Sequence, residues 1–365
     1  MTQQLPNQAV EVQDGLIISM SPIQNTADFE VEQANEGDCP FKSIDKVLPV
    51  LKFQRQFMNN TKLSHTLVTK NIDPTKDGFD LKINERAVNL IDIWSDQNIS
   101  LSNCKLSQYD LAVMDAVYTI IKHGYKIVTP EWILRVMSGN QKQKLTENKI
   151  NKLNSCIQKL KSIHIKIDCT AEYNTYQLRE RKKPVDRWTY ESYLLPFGKA
   201  EAKYETNGRV ATAYKILEIP ALYLYAEMNH QIISVPACLF ETQEQYNDTD
   251  EAILIKRYVV KRVAQIIRGN SIKSNKISYI WCDKNDGETK GLFPDLGYVD
   301  DCSENFRKNT KSKINKIVKG TLESLKQANA INNYEEYRAD GTNNPTSPIM
   351  GYKISYNSKA AIRSA

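Results

Sequence analysis

The chain has 365 residues, enough for two domains of ordinary size, and a hydrophobic share of 41% with 19 tyrosines supports packed cores rather than wholesale disorder. Its net charge of +6 is a mild basic surplus whose meaning depends on where it sits. The seven cysteines are scattered without a C-x-x-C pair, which argues against a disulfide framework or zinc cluster and for reduced thiols. The N-terminus lacks the basic start and apolar core of a signal peptide, and no apolar run approaches the ~20 residues that span a bilayer. The expectation is a soluble cytoplasmic protein with no membrane partner.

Residues 1–40 are polar and acidic, with one short apolar patch around Ile17 to Met20, and read as a flexible arm. "SIDKVLPVLKFQRQFMNN" reads as a short helical stretch, and "GFDLKINERAVNLIDIW" as strand-like segments bounded by turn signals. "LSQYDLAVMDAVYTIIKHG" predicts a helix capped by Ser107, with Leu111, Met114, Val117, Tyr118 and Ile121 at helical spacing and Gly124 as the stop. "VTPEWILRVMSGN" predicts a second helix, with Thr129 as cap, Pro130 in the first position and Gly139 after the last turn.

A third helix, "LTENKINKLNSCIQKLKS", starts at the cap Thr146 and places Ile150, Leu153, Ile157 and Leu160 on one face. "IHIKIDCT" alternates as a strand, a basic loop "LRERKKPVDRW" follows, and "ESYLLPFGKAEAKY" and "RVATAYKILEI" predict two more strands around the turn "ETNG". After a polar, acidic connector the order repeats. "AILIKRYVVKRVAQIIRG" is an amphipathic helix and "NKISYIWCDKND" a short helix or strand. The helix "ENFRKNTKSKINKIVKGTLESLKQANAI" follows, and "INNYEEYRADGTNNPTSPIMGYKISYN" gives two strands around a Gly/Asn/Pro tip.

Helix, short element, basic helix and hairpin thus occur twice. The expected fold class is α+β, with two tandem winged helix-turn-helix domains behind a flexible N-terminal arm. Expected boundaries are 1–40 for the arm, 41–240 for the first domain with an N-terminal extension and inserted strands, 241–252 for the linker, 253–357 for the second domain and 358–365 for a tail.

The basic surplus falls on the two third helices. Between Gly139 and Lys166 lie seven lysines against one acid, Glu147, and between Phe306 and Lys319 there is no acid at all. Each helix carries the tetrapeptide K-I-N-K, at 149–152 and at 313–316. Ile150 and Ile314 are expected to point inward; Lys149, Asn151 and Lys152 in one copy, and Lys313, Asn315 and Lys316 in the other, outward. A helix laid in the DNA major groove needs this division: apolar residues to dock on its own domain, Lys/Arg for phosphates and Asn/Gln for base edges. Arg307, Lys308, Lys311 and Lys319 complete the second candidate surface. Arg181, Lys182 and Lys183 are candidate wing or backbone contacts.

The chemical signals are weaker. "GYVDDC" carries the Y-x-D-D spacing of reverse transcriptases at 298–301, but in a polar Gly/Pro loop, and "DKNDGET" has a misplaced glycine for a calcium loop. The four histidines form no H-x-H pair and no phosphate-binding G-x-x-x-x-G-K-[ST] loop is present. The expectation is a binding protein with no catalytic residues, no metal and no cofactor.

The stretches "LSQYDLAVMDAVYTI" with "LTENKINKLNSCIQKL", and "AILIKRYVVKRVAQIIRG" with "FRKNTKSKINKIVKG", resemble the two winged domains of iteron-binding plasmid replication initiators, over roughly residues 106–356. The resemblance implies a double-stranded DNA partner carrying origin repeats, host replication proteins as further partners, and a first domain able to dimerise. It implies base or phosphate contacts at Lys311, Lys313, Asn315 and Lys316, with counterparts at Lys149, Asn151 and Lys152. Two alternatives remain open at this point: a transcriptional repressor or partition protein on the same scaffold that binds an operator, and a protein-interaction scaffold whose basic faces are only solvated.

Overall fold

The computed structural model describes residues 54–58, 63, 67–68, 77–84, 87–95, 106–140, 143, 145–179, 182–203, 210–240, 249–268, 276–278, 292, 296, 304–338, 341 and 344–356. The arm, the tail, the Y-x-D-D stretch and the Asp-rich turn lie outside these residues. Helices and small antiparallel sheets alternate along the chain, so the α+β class holds.

The helix expected around 43–60 is instead a strand over its described part, β1 (Gln54–Met58). Antiparallel strands β2 (Asp77–Asn84) and β3 (Ala87–Ser95) follow. Helix α1 (Gln108–Lys122) is buried continuously from Tyr109 to Ile120, so it is the central rod of the first half rather than a surface helix. Its start is a capping box. The Ser107 hydroxyl accepts from the Asp110 amide at 3.2 Å, and the Asp110 carboxylate accepts from the Ser107 amide at 2.7 Å.

Two-residue strand β4 (Ile127–Val128) leads to α2 (Pro130–Ser138), capped by Thr129 and stopped by Gly139 at φ 73°. A Cβ at Gly139 would lie 2.5 Å from the Phe240 Cβ, so this stop is also a close approach that only glycine fits. Helix α3 (Glu147–Ser162) starts at Thr146, whose side chain accepts from the Lys149 amide, and runs directly into β5 (Ile163–Asp168).

Before the hairpin of the first half, the chain inserts α4 (Thr170–Arg179) and β6 (Thr189–Tyr193). The stretch 191–204, expected as one strand, breaks at Leu194–Pro196 into β6 and β7 (Phe197–Lys203). β7 then pairs with β8 (Val210–Ile216). Strands β2, β3, β5 and β6 form a four-stranded sheet in that order, and the alternation Ile163, Ile165, Ile167 supplies its buried face. The sequence between the third helix and its hairpin therefore belongs to a separate sheet that also takes in β2 and β3. Helix α5 (Ala221–Met228) packs on that sheet, and β9 (Ile232–Pro236) pairs with β1.

The second half begins with α6 (Asp250–Arg268) and short strand β10 (Lys276–Ser278). Helix α7 (Glu304–Gln327) precedes the hairpin of β11 (Asn333–Arg338) and β12 (Ile349–Ser355). The two halves share one sheet topology: the short strand after the first helix lies beside the second strand of the hairpin, giving orders β4-β8-β7 and β10-β12-β11. In the second, Gly351 sits at φ 143°, and a Cβ there would come 2.0 Å from the Ile277 carbonyl oxygen.

The apolar residues form two clusters, but these do not divide at the connector. The second takes Ile255, Val259, Val263, Ile314, Val318 and Leu322 from α6 and α7, and adds Phe57, Ile233, Val235 and Phe240 from the first half. Conversely Ile253 of α6 joins the first cluster. Between the halves lies a buried polar hub. Asp115 on α1 accepts from Arg257 on α6 at 2.9 Å (Nε) and 2.5 Å (Nη2), from the Tyr223 hydroxyl at 2.9 Å and from the Met58 amide at 3.2 Å. Arg55 is fully buried above the Phe240 ring with one terminal nitrogen unpartnered, and burial lowers it to about 9 against the opposing pull of Asp115.

Candidate nucleic-acid interface

Helices α3 and α7 each dock through an apolar stripe and leave the opposite face outside. On α3 the stripe is Leu153, Cys156, Ile157 and Leu160, with Ile150 half-buried against the same core. The exposed residues are Glu147, Asn148, Asn151, Lys152, Ser155 and Gln158. On α7 the stripe is Ile314, Ile317, Val318, Leu322 and Leu325, and the exposed residues include Ser312, Lys313, Lys316, Lys319 and Lys326. The inward isoleucines and the outward Asn151, Lys152, Lys313 and Lys316 lie as the sequence predicts.

Other residues are placed differently. Lys149 is half-buried and reaches back to Gln143, whose amide accepts from its Nζ at 3.2 Å in the orientation that satisfies both ends. Asn315 is half-buried and turned to the hairpin, where it accepts from the Tyr352 hydroxyl at 2.6 Å. Lys311 is half-buried, and Lys319, although exposed, lies 3.6 Å from Glu336 of β11. Arg307 and Lys308 fall near the start of α7. Lys182 is half-buried and Lys183 exposed, in the segment between α4 and β6 rather than in the β7–β8 hairpin. Arg181 lies outside the described residues.

The described lysines of the α3 region mostly find partners within the protein. Lys159 pairs with the buried Asp110, and Lys166 on β5 pairs with Glu191 at 3.1 Å. Lys161 is half-buried with its pKa lowered, by burial first and then by Lys199. Lys152 lies 2.5 Å from Asp250 and 4.5 Å above the Tyr109 ring. Lys313 of α7 pairs with Glu251. The two K-I-N-K stretches therefore meet neighbouring carboxylates in one helical turn, the first turn of α6. Lys316, by contrast, is exposed on α7 and makes no ion pair with a described residue.

Composition alone missed three features. The Asp250–Glu251 turn looked like the end of an acidic connector, and only its position between α3 and α7 shows that it holds a lysine from each. Arg338 carried no sequence signal, yet it braces the tip of the second hairpin. It donates to the Pro345 carbonyl at 3.1 Å and the Ser347 carbonyl at 2.6 Å, and pairs with Glu336 at 2.5 Å. Ser155 and Gln158 lie beyond the tetrapeptide and carry no charge, so neither stands out in a sequence read by its basic residues.

Chemically, the surface offers ammonium groups for phosphate and amide or hydroxyl groups for base edges. Among the described residues no group of three or more His, Cys, Asp or Glu side chains is placed to hold a metal. No described helix is long and apolar enough to cross a membrane.

No protein-family model matches the chain, and no curated protein matches it in sequence. Among solved structures it is similar to a crystal structure of RctB domains 2 and 3, at 12% identity and a TM-score of 0.32, covering 58% of this chain and 71% of that one. It is also similar to the selenomethionine derivative of RctB domains 2 and 3, at 11% identity and a TM-score of 0.38, covering 78% and 92%. Both likenesses are distant, so the functional reading rests on the residues.

Proposed function

We propose that this protein binds double-stranded DNA in a sequence-specific manner, through two tandem winged helix-turn-helix units whose third helices are α3 and α7. It acts by binding, without catalysis. The observation that supports this most is the duplicated arrangement: twice, a basic helix buries an apolar stripe, exposes Lys, Asn or Ser opposite it, and is followed, directly after α7 and beyond β5, α4 and β6 after α3, by a hairpin in the same sheet order. Solvated basic helices alone would not account for the same layout arising twice. The sequence resemblance over 106–356 favours a role in initiating replication of a plasmid or other mobile element at repeated origin sequences. Host replication proteins and a second copy of the chain are the further partners of that role.

A gel-shift salt titration on the DNA flanking the gene tests the reading. Specific complexes at low salt, weakening steeply as salt rises, are the expected result. No specific complex at any salt would leave the protein-interaction alternative standing. Direct repeats in the bound DNA separate initiation from repression, for which an inverted repeat is expected.

A further inference from the structure

Helices α3 and α7 share a tetrapeptide, yet the faces they turn outward are chemically unlike. On α3 the residues opposite the buried stripe are Asn148, Asn151, Ser155 and Gln158, spaced i, i+3, i+7 and i+10, all exposed and all neutral. The lysines of α3 flank this strip or turn from it: Lys149 goes to Gln143, Lys152 to Asp250 and Lys159 to Asp110. On α7 the residues opposite the buried stripe are Ser312, Lys316, Lys319 and Lys326. Its one asparagine in the tetrapeptide, Asn315, is drawn sideways to Tyr352. One helix thus presents a strip of neutral hydrogen-bonding groups, flanked by the exposed Glu147 and the Asp250-paired Lys152, and the other presents mainly charge with its amide withdrawn.

We infer that the two helices divide the work on DNA: α3 reads base edges through Asn148, Asn151 and Ser155, with Gln158 held by the Tyr214 side chain, while α7 grips the phosphate backbone through Lys316 and, beside Glu336, Lys319. This rests on the DNA-binding reading above and deepens it. Carboxamides and hydroxyls pair with base edges in the major groove, where asparagine matches adenine, whereas an ammonium on a flexible stem attracts any phosphate. A strip of neutral side chains adds little attraction for random DNA. The lysines of α7 supply it instead, without regard to sequence. A single division of labour accounts for the neutral strip on α3 and the lysine-rich face on α7.

Two full-length variants test this against a duplex pool randomised over about three helical turns. The wild-type chain is put through selection first, and its enriched duplex and a scrambled version serve as probes. For Asn148→Ala/Asn151→Ala/Ser155→Ala, the expected result is a fall of roughly 10- to 100-fold in the preference for the enriched duplex, with scrambled binding and its salt dependence unchanged. For Lys316→Ala/Lys319→Ala, affinity should fall equally for both probes, with the slope of log K against log salt flattened by about two and the preference retained. Circular dichroism checks that both variants keep their helices. Retained preference in the first variant, or lost preference in the second, overturns the division of labour while leaving DNA binding intact. A wild-type chain that binds DNA but enriches no motif also overturns it. Absence of salt-dependent binding to any duplex overturns the broader reading and the division with it.

Discussion

Asp115 shows how much a single residue can organise. Its carboxylate, buried on α1, takes hydrogen bonds from the Arg257 guanidinium, the Tyr223 hydroxyl and the Met58 amide. Burial pushes Tyr223 well above its ordinary value, with the nearby carboxylate adding to the rise and Arg257 opposing it. Removing one partner leaves the other charged in a place that cannot solvate it. Asp115→Ala should therefore cost about 3–5 kcal/mol in urea unfolding, while adding Arg257→Met to it should cost less than the two single changes summed. Additive losses would show that the two side chains do not depend on each other. None of this was legible in the sequence, because a lone Asp within "AVMDAVY" looks like a solvent-facing position on an amphipathic helix.

At the scale of elements, legibility followed locality. Ser107, Thr129, Thr146 and Gly139 mark helix ends because caps act within a few residues, and all four perform the role their spacing predicts. β1 was missed for the opposite reason. Its strand state depends on pairing with β9, and the Ser234 hydroxyl that donates to Gln56 at 2.8 Å is 178 positions away. Apolar spacing within "KFQRQFM" cannot report such a partner. The candidate site was half legible in the same sense. Helical spacing placed Ile314, Lys316 and Asn151, but the turn of Asn315 toward Tyr352 needed the hairpin to be in place. Within that hairpin Arg338 ties its own strand to the Pro345 and Ser347 carbonyls. Arg338→Ala should speed hydrogen exchange at the amides of Asn344, Thr346 and Ser347 while leaving α7 protected; unchanged exchange at the tip would mean the turn holds without it.

For the whole molecule, buried titratable groups set an alkaline limit. Burial pushes Cys169 and Tyr214 up to about 12, and raises Cys156, Tyr109, Tyr118 and Tyr223 as well. In each, the folded protein holds its proton more tightly than the unfolded chain. The stability this contributes is complete below the unfolded value, 9.0 for the cysteines and 10.0 for the tyrosines, and is lost as pH rises through the folded one. Arg55 runs the other way. Lowered from 12.5 to about 9, it makes the unfolded chain the tighter proton binder between those values and so adds stability as pH rises. Lys161 is lowered as well and Tyr190 raised, so two groups stand against seven and the net is a loss. The melting temperature should fall progressively as pH rises from about 9 to 11, and a flat calorimetric profile over that range would contradict this account.

The hub bears on how freely such a protein can be taken apart. Its halves repeat one topology, which invites the view of two interchangeable modules strung on a connector. Yet the carboxylate of the hub belongs to one half and its guanidinium to the other, and the second apolar cluster borrows Phe57, Ile233, Val235 and Phe240 from the first. Cut at the connector, each piece would keep a charge meant for the missing piece and an apolar face meant to be covered. The likeness between the halves is one of plan only: a unit exchanged for a relative's would have to bring the matching charge and the matching surface with it.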